Sequence, residues 1–136
     1  MSRKIAREKT FQLIFEYEFL KQQNPLTLED FLQQEKIEEE DKKFINDGYR
    51  EIIENYDEIM SVLERNLKNY TLNRIYKVDL AILLLAIYEM IFKKDTAPSI
   101  IINEAVEIAK KYSTDKSFSF INGVLASVLK ELENGA

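Results

Sequence analysis

Arg3, Lys4 and Arg7 open the chain, with Lys9 close behind and Glu8 the one acid among the first ten residues. Arg3 and Arg7 are four apart, so on a helix they share one side, with Lys4 beside them. A helix N-terminus already carries partial positive charge, and cations gathered there gain nothing from the helix itself. Phosphates would gain, since each Lys or Arg contact releases condensed counterions. Phosphate binding and a plain solvated surface are the two readings. A second constellation spans Lys111 to Asn122, a polar loop carrying Tyr112, Lys116, Phe118 and Phe120. If Phe118, Ile121 and Leu125 form the core stripe of a helix, Phe120 turns away from it. Aromatics beside a cation are the ingredients of single-strand base stacking, although a helical Phe more often fills a gap between helices.

A third candidate lies on the first helix itself. At about 100° per residue, Ala6, Leu13, Tyr17 and Leu20 gather on one side, and Phe11, Phe15 and Phe19 on the opposite one. Two apolar faces fit a helix sandwiched between layers, or a phenylalanine face that docks a protein partner. Catalysis has little to work with. The chain has no Cys and no His, which removes thiol nucleophiles, a Ser-His-Asp triad, zinc fingers and imidazole metal sites. The acids Asp79 and Glu89, and the run Glu38 to Asp41, show no spacing tied to a metal or to acid–base work, and no glycine-rich phosphate loop is present. The expectation is a protein without enzymatic activity, cofactor or metal.

These residues need elements to position them. With 136 residues, 46% of them apolar, the chain can bury one real core, and 3 Gly and 2 Pro disfavour a turn-rich β fold. Hydrophobic periodicity predicts seven helices and no strand, a compact all-α bundle. The first helix runs from about Arg3 to Gln22 and stops before Pro25; a short second runs from Thr27 to near Glu35. The third starts at the Glu38 to Asp41 run, where a helix dipole favours negative charge, and its stripe breaks near Asn55 and Tyr56. Leu72 to Lys93 reads as a central helix, apolar on nearly all sides; Pro98 starts the sixth helix, and the seventh carries Phe118 to Leu132. The longest apolar run, Leu80 to Tyr88, is far short of the roughly 20 residues that span a bilayer. With no signal-peptide pattern after Met1, a cytoplasmic protein is expected. The net charge of −5 argues against broad nucleic-acid coating and leaves the basic start as a local exception.

Several motifs in order resemble one family. Ile102 to Lys110 (INEAVEIAK) and Phe120 to Leu125 (FINGVL) look like the paired INEAVELAK and FVNGVL signatures of the NusB antitermination family. Ala86 to Met90 resembles its AxYEL segment, Tyr70 to Ile75 its WxLxRL segment, and Arg3 to Glu8 its arginine-rich start. The resemblance implies seven helices in two packed subdomains, about 1–55 and about 56–136, within a single RNA-binding domain. It implies a non-catalytic role in ribosomal RNA transcription: binding boxA-type RNA jointly with NusE, a small-subunit ribosomal protein, in the transcription elongation complex. By matching motifs, RNA contacts would fall on Arg3, Lys4, Arg7, Gln12, Tyr112, Lys116 and Phe120, and NusE contacts on Phe15 and Asp79.

Three positions depart from the family pattern. Ile5 interrupts the basic start, Leu84 stands where an arginine is usual before AxYEL, and Ser119 replaces the lysine before FVNG. Each change removes a positive charge, which implies weaker unaided RNA binding. The alternative is a protein-binding helical scaffold akin to the NusB-like domain of some RNA methyltransferases. No methyltransferase domain follows Ala136, so that activity would come from another chain.

Overall fold

The computed structural model describes residues 2–68 and 71–135, and among these it shows seven α-helices, one 3₁₀ turn and no strand. Helix α1 (Ser2–Leu20) ends where Lys21 adopts the left-handed conformation at φ 59°, its N–H closing on the Tyr17 carbonyl at 2.7 Å. Helix α2 (Pro25–Leu32) starts earlier than the sequence suggests. Asn24, not Thr27, is its cap, accepting from the Leu26 N–H at 3.2 Å, and Pro25 takes the first turn. Thr27 instead donates its hydroxyl to Glu16 at 2.9 Å, tying α2 back to α1. Helix α3 (Glu39–Glu54) carries Glu39, Glu40 and Asp41 in its first turn, as the dipole favours. The stripe breaks at Asn55, whose amide side chain donates to the Glu51 carbonyl, and α4 (Tyr56–Arg65) follows.

The central helix is shorter than its hydropathy implied. Leu72–Arg74 form a 3₁₀ turn, Ile75 and Tyr76 are extended, and α5 runs Lys77–Phe92. A hydrogen bond between the Thr71 and Asn73 side chains supports the turn, a local competitor of the helix that periodicity cannot register. Tyr70, which opens one of the family-like motifs, lies outside the described residues. Every residue from Asp79 to Met90 is buried, because α1, α3, α4, α6 (Pro98–Tyr112) and α7 (Ser117–Asn134) all pack around α5.

One hydrophobic core runs through these helices, with Tyr49 and Tyr88 its largest fully buried side chains. Helix α1 is held between α3 and α5. At Gly48 a Cβ would meet the Thr10 methyl at 3.3 Å, so the glycine lets α3 approach α1 closely. None of the described helices is long and apolar enough to cross a membrane.

Candidate nucleic-acid and protein-binding surfaces

The basic start divides by burial. Arg7 is only 6% exposed, and its guanidinium grips Glu89 of α5 through Nε–Oε2 at 2.9 Å and Nη2–Oε1 at 3.0 Å. Burial pushes the Glu89 carboxyl above its ordinary range, against the pull of Arg7. Arg7 is therefore a clamp between α1 and α5, which corrects its expected role as a phosphate contact. The sequence carried the clue on the other partner: Glu89 is a lone acid within an otherwise apolar helix, and a buried charge requires a partner. Arg3 is steered but open. Its Nε donates to Asp41 at 2.9 Å and its guanidinium lies 4.6 Å from the Phe44 ring, with 42% of the side chain accessible. Lys4 is exposed and lines a groove of about 360 Å³ with Glu8, Lys110 and Lys111.

The C-terminal end of α6 is stitched to α1. The Gln12 side-chain amide donates to the Tyr112 hydroxyl at 3.1 Å, the Tyr112 ring sits 5.2 Å from Phe11, and Lys111 pairs with Glu8 at 2.9 Å. Contacts thus run from Lys4 through the lysines of α6 to Tyr112 and Gln12. Beyond Tyr112, exposed Lys116 and half-buried Phe120 line a cavity of about 210 Å³ that also takes in Arg74, Tyr76 and Asp79.

The start of α7 corrects the expected phase. Phe118 is 39% exposed, with Lys110 Nζ 5.6 Å from its ring, whereas Ser117, Ile121, Val124, Leu125 and Val128 are buried. Measured from Ile121, that stripe is centred so that Phe118 and Phe120 flank it on opposite sides, each about 70–90° from the middle. A polar residue claimed the buried position: the Ser117 hydroxyl donates to Asp79 Oδ2 at 2.8 Å, and Ser113 donates to Oδ1 at 2.6 Å. Asp79 itself is 4% exposed in the first turn of α5. Its carboxylate faces hydroxyls and a cavity, so the expectation that it belongs to an open protein-docking surface is corrected too.

The phenylalanine face of α1 is graded. Phe11 is buried, Phe15 half-buried and Phe19 59% exposed, with Phe15 and Phe19 meeting edge to face at 4.9 Å. Lys77 Nζ lies 5.6 Å from the Phe19 ring and Tyr76 is exposed beside it in sequence. The sandwich reading holds for Phe11, and an open apolar surface begins beyond it. Among the described residues no group of acids is placed to hold a metal ion.

The NusB family matches residues 4–130 of this sequence. The chain belongs to the NusB family. A transcription antitermination protein NusB of Finegoldia magna is 41% identical over 136 residues, spanning 100% of this chain and 99% of its own. That of Acetivibrio thermocellus is 42% identical over 130 residues, covering 96% and 90%. The NusB structure of T. maritima superposes with a TM-score of 0.88 at 35% identity over 96% of this chain and 92% of its own. A NusB from a complex of the antitermination factors NusB and NusE with dsRNA shares the fold at TM-score 0.84 and 24% identity, covering 95% and 96%. The all-α fold expected from the motifs is the NusB fold, and the family's role is transcription antitermination, a non-catalytic one.

Proposed function

We propose that this chain acts in antitermination on ribosomal RNA transcripts by holding boxA-type single-stranded RNA together with NusE, in the cytoplasm and within the elongation complex. The contact path from Lys4 through Lys110 and Lys111 to Tyr112 and Gln12 is the observation that carries this reading. It joins the basic start of α1 to the α6–α7 loop, two regions far apart in sequence, into a backbone-tracking strip. Arg3, Lys4 and Lys116 supply charge, Tyr112 and Phe120 supply aromatic faces, and Arg7 acts behind them as a positioning residue. NusE would cover Phe15 and Phe19, an aromatic patch of the kind found at interface centres. A division into subunits of about 1–55 and 56–136 places the RNA strip across both, since α1 belongs to one and α6 and α7 to the other.

The named NusB–NusE–RNA complex supports the choice of partners, as said of that relative. An RNA gel-shift with and without NusE tests the reading. Retention of a boxA-type strand that strengthens when NusE is added is expected, with Phe15→Ala weakening the NusE effect by about tenfold or more while the thermal melt changes little. NusE capture with no change in RNA retention would establish the scaffold alternative instead.

A further inference from the structure

The cavity between the 3₁₀ turn, the start of α5 and the α6–α7 loop holds an unusual combination. Its lining includes two cations, Arg74 and Lys116, whose side chains make no hydrogen bond or ion pair with the described residues. It also includes the carboxylate of Asp79, buried and compensated only by hydroxyls. An acid at this depth is ordinarily matched by a cation, as Glu89 is by Arg7. Each Asp79 oxygen accepts one serine hydroxyl, and a carboxylate has about four acceptor positions, so each oxygen keeps room for another donor. Phe120 and Tyr76 add aromatic surface to the walls.

Resting on the RNA reading above, we propose that this cavity receives one unstacked guanine nucleotide, its phosphate between Arg74 and Lys116 and its base turned to Asp79. Two parallel donors meeting two carboxylate oxygens is the geometry that makes guanidinium–carboxylate pairs specific, and the N1–H and N2–H of guanine offer the same pattern. Uracil presents a single N–H flanked by two carbonyl oxygens, which the carboxylate repels; adenine and cytosine present an amino group beside a ring-nitrogen acceptor. Unstacked bases in single-stranded RNA are commonly read on this edge. The phosphate stays at the mouth because Asp79 would repel it from the floor. Arg74 is thus a binding residue and Asp79 the specificity-determining one.

Titration of the nitrogen-15-labelled full chain with guanosine, inosine and uridine 5′-monophosphates and with inorganic phosphate tests this. GMP is expected to shift the amides of Asp79, Thr114 and Ser117 saturably, binding about tenfold tighter than UMP. Inosine monophosphate, which lacks only the N2 amino group, should bind about fivefold or more weaker than GMP. Arg74→Ala should weaken GMP binding several-fold without altering the fold. Equal shifts by all four compounds would reduce the site to a non-specific anion site and overturn the proposal, as would GMP binding that ignores Arg74→Ala, or IMP and GMP binding alike. Oligonucleotide retention with GMP leaving these amides unmoved overturns the cavity and spares the RNA reading. GMP shifts without oligonucleotide retention do the reverse.

Discussion

Helix α5 buries two carboxylates ten residues apart, and they are compensated differently. Glu89 meets a guanidinium from α1 at two points, while Asp79 meets two serine hydroxyls from the α6–α7 junction. The first arrangement cancels a charge and leaves nothing over for a ligand. The second satisfies hydrogen bonds but leaves the charge beside a cavity whose cations are unengaged. Depth of burial is nearly the same for both, so burial alone does not say whether a buried acid is structural or available. The identity of its donors does.

The comparison can be broken most sharply at Arg7. Arg7→Ala leaves Glu89 buried and unpaired, and denaturant titration should show a loss of about 3–5 kcal/mol. Replacing both partners, as Arg7→Met with Glu89→Leu, should restore most of that, because an apolar pair of similar size needs no desolvation. Asp79→Asn should cost less, about 1–3 kcal/mol in the same titration, since the amide oxygen still accepts from one serine while a charge-assisted bond is lost. Equal losses at the two positions would show that Asp79 is as much a structural anchor as Glu89.

A pH titration sharpens the difference further. The Glu89 carboxyl is raised in the folded protein above its ordinary 4.5, burial being the larger cause and Arg7 opposing it. In the pH interval from 4.5 up to that raised value, the folded state binds more protons than the unfolded one, so stability falls as pH rises. Wild type should therefore lose stability relative to Glu89→Gln as pH rises through that interval, and a flat difference would show that Arg7 fully offsets the burial. The smallest stability change is expected at Lys4, which shares the start of α1 with Arg7 but has no buried partner. Lys4→Ala should shift stability by no more than about 0.5 kcal/mol, yet lower RNA affinity for all sequences and flatten the salt slope by about one unit.

Much of the candidate site could be read from residue types, and less from their phase. The basic start, the loop aromatics and the phenylalanine face were visible because charge and aromatic clusters survive any rotation of a helix. Arg7 was misassigned because its neighbours in sequence are surface cations, whereas its partner lies 82 residues away. Phe118 was assigned to the core because apolar size is the usual mark of a buried position. Ser117 displaced it, since the serine hydroxyl answers a need of Asp79 that exists only once α5 and α7 are packed. Arg74 passed unremarked, a lone cation in a stretch read as helix.

By itself the sequence determined the helical class, the number of helices, the break at Asn55, the absence of thiol and imidazole chemistry, and the motifs that mark the NusB family. These follow from local terms: periodicity, proline and asparagine geometry, and composition. Only the tertiary structure decided which cation is buried, which phenylalanine is exposed, and that Arg74, Asp79 and Lys116 share one cavity. Desolvation and pairing act between elements distant along the chain, and their outcome depends on how those elements are placed in space.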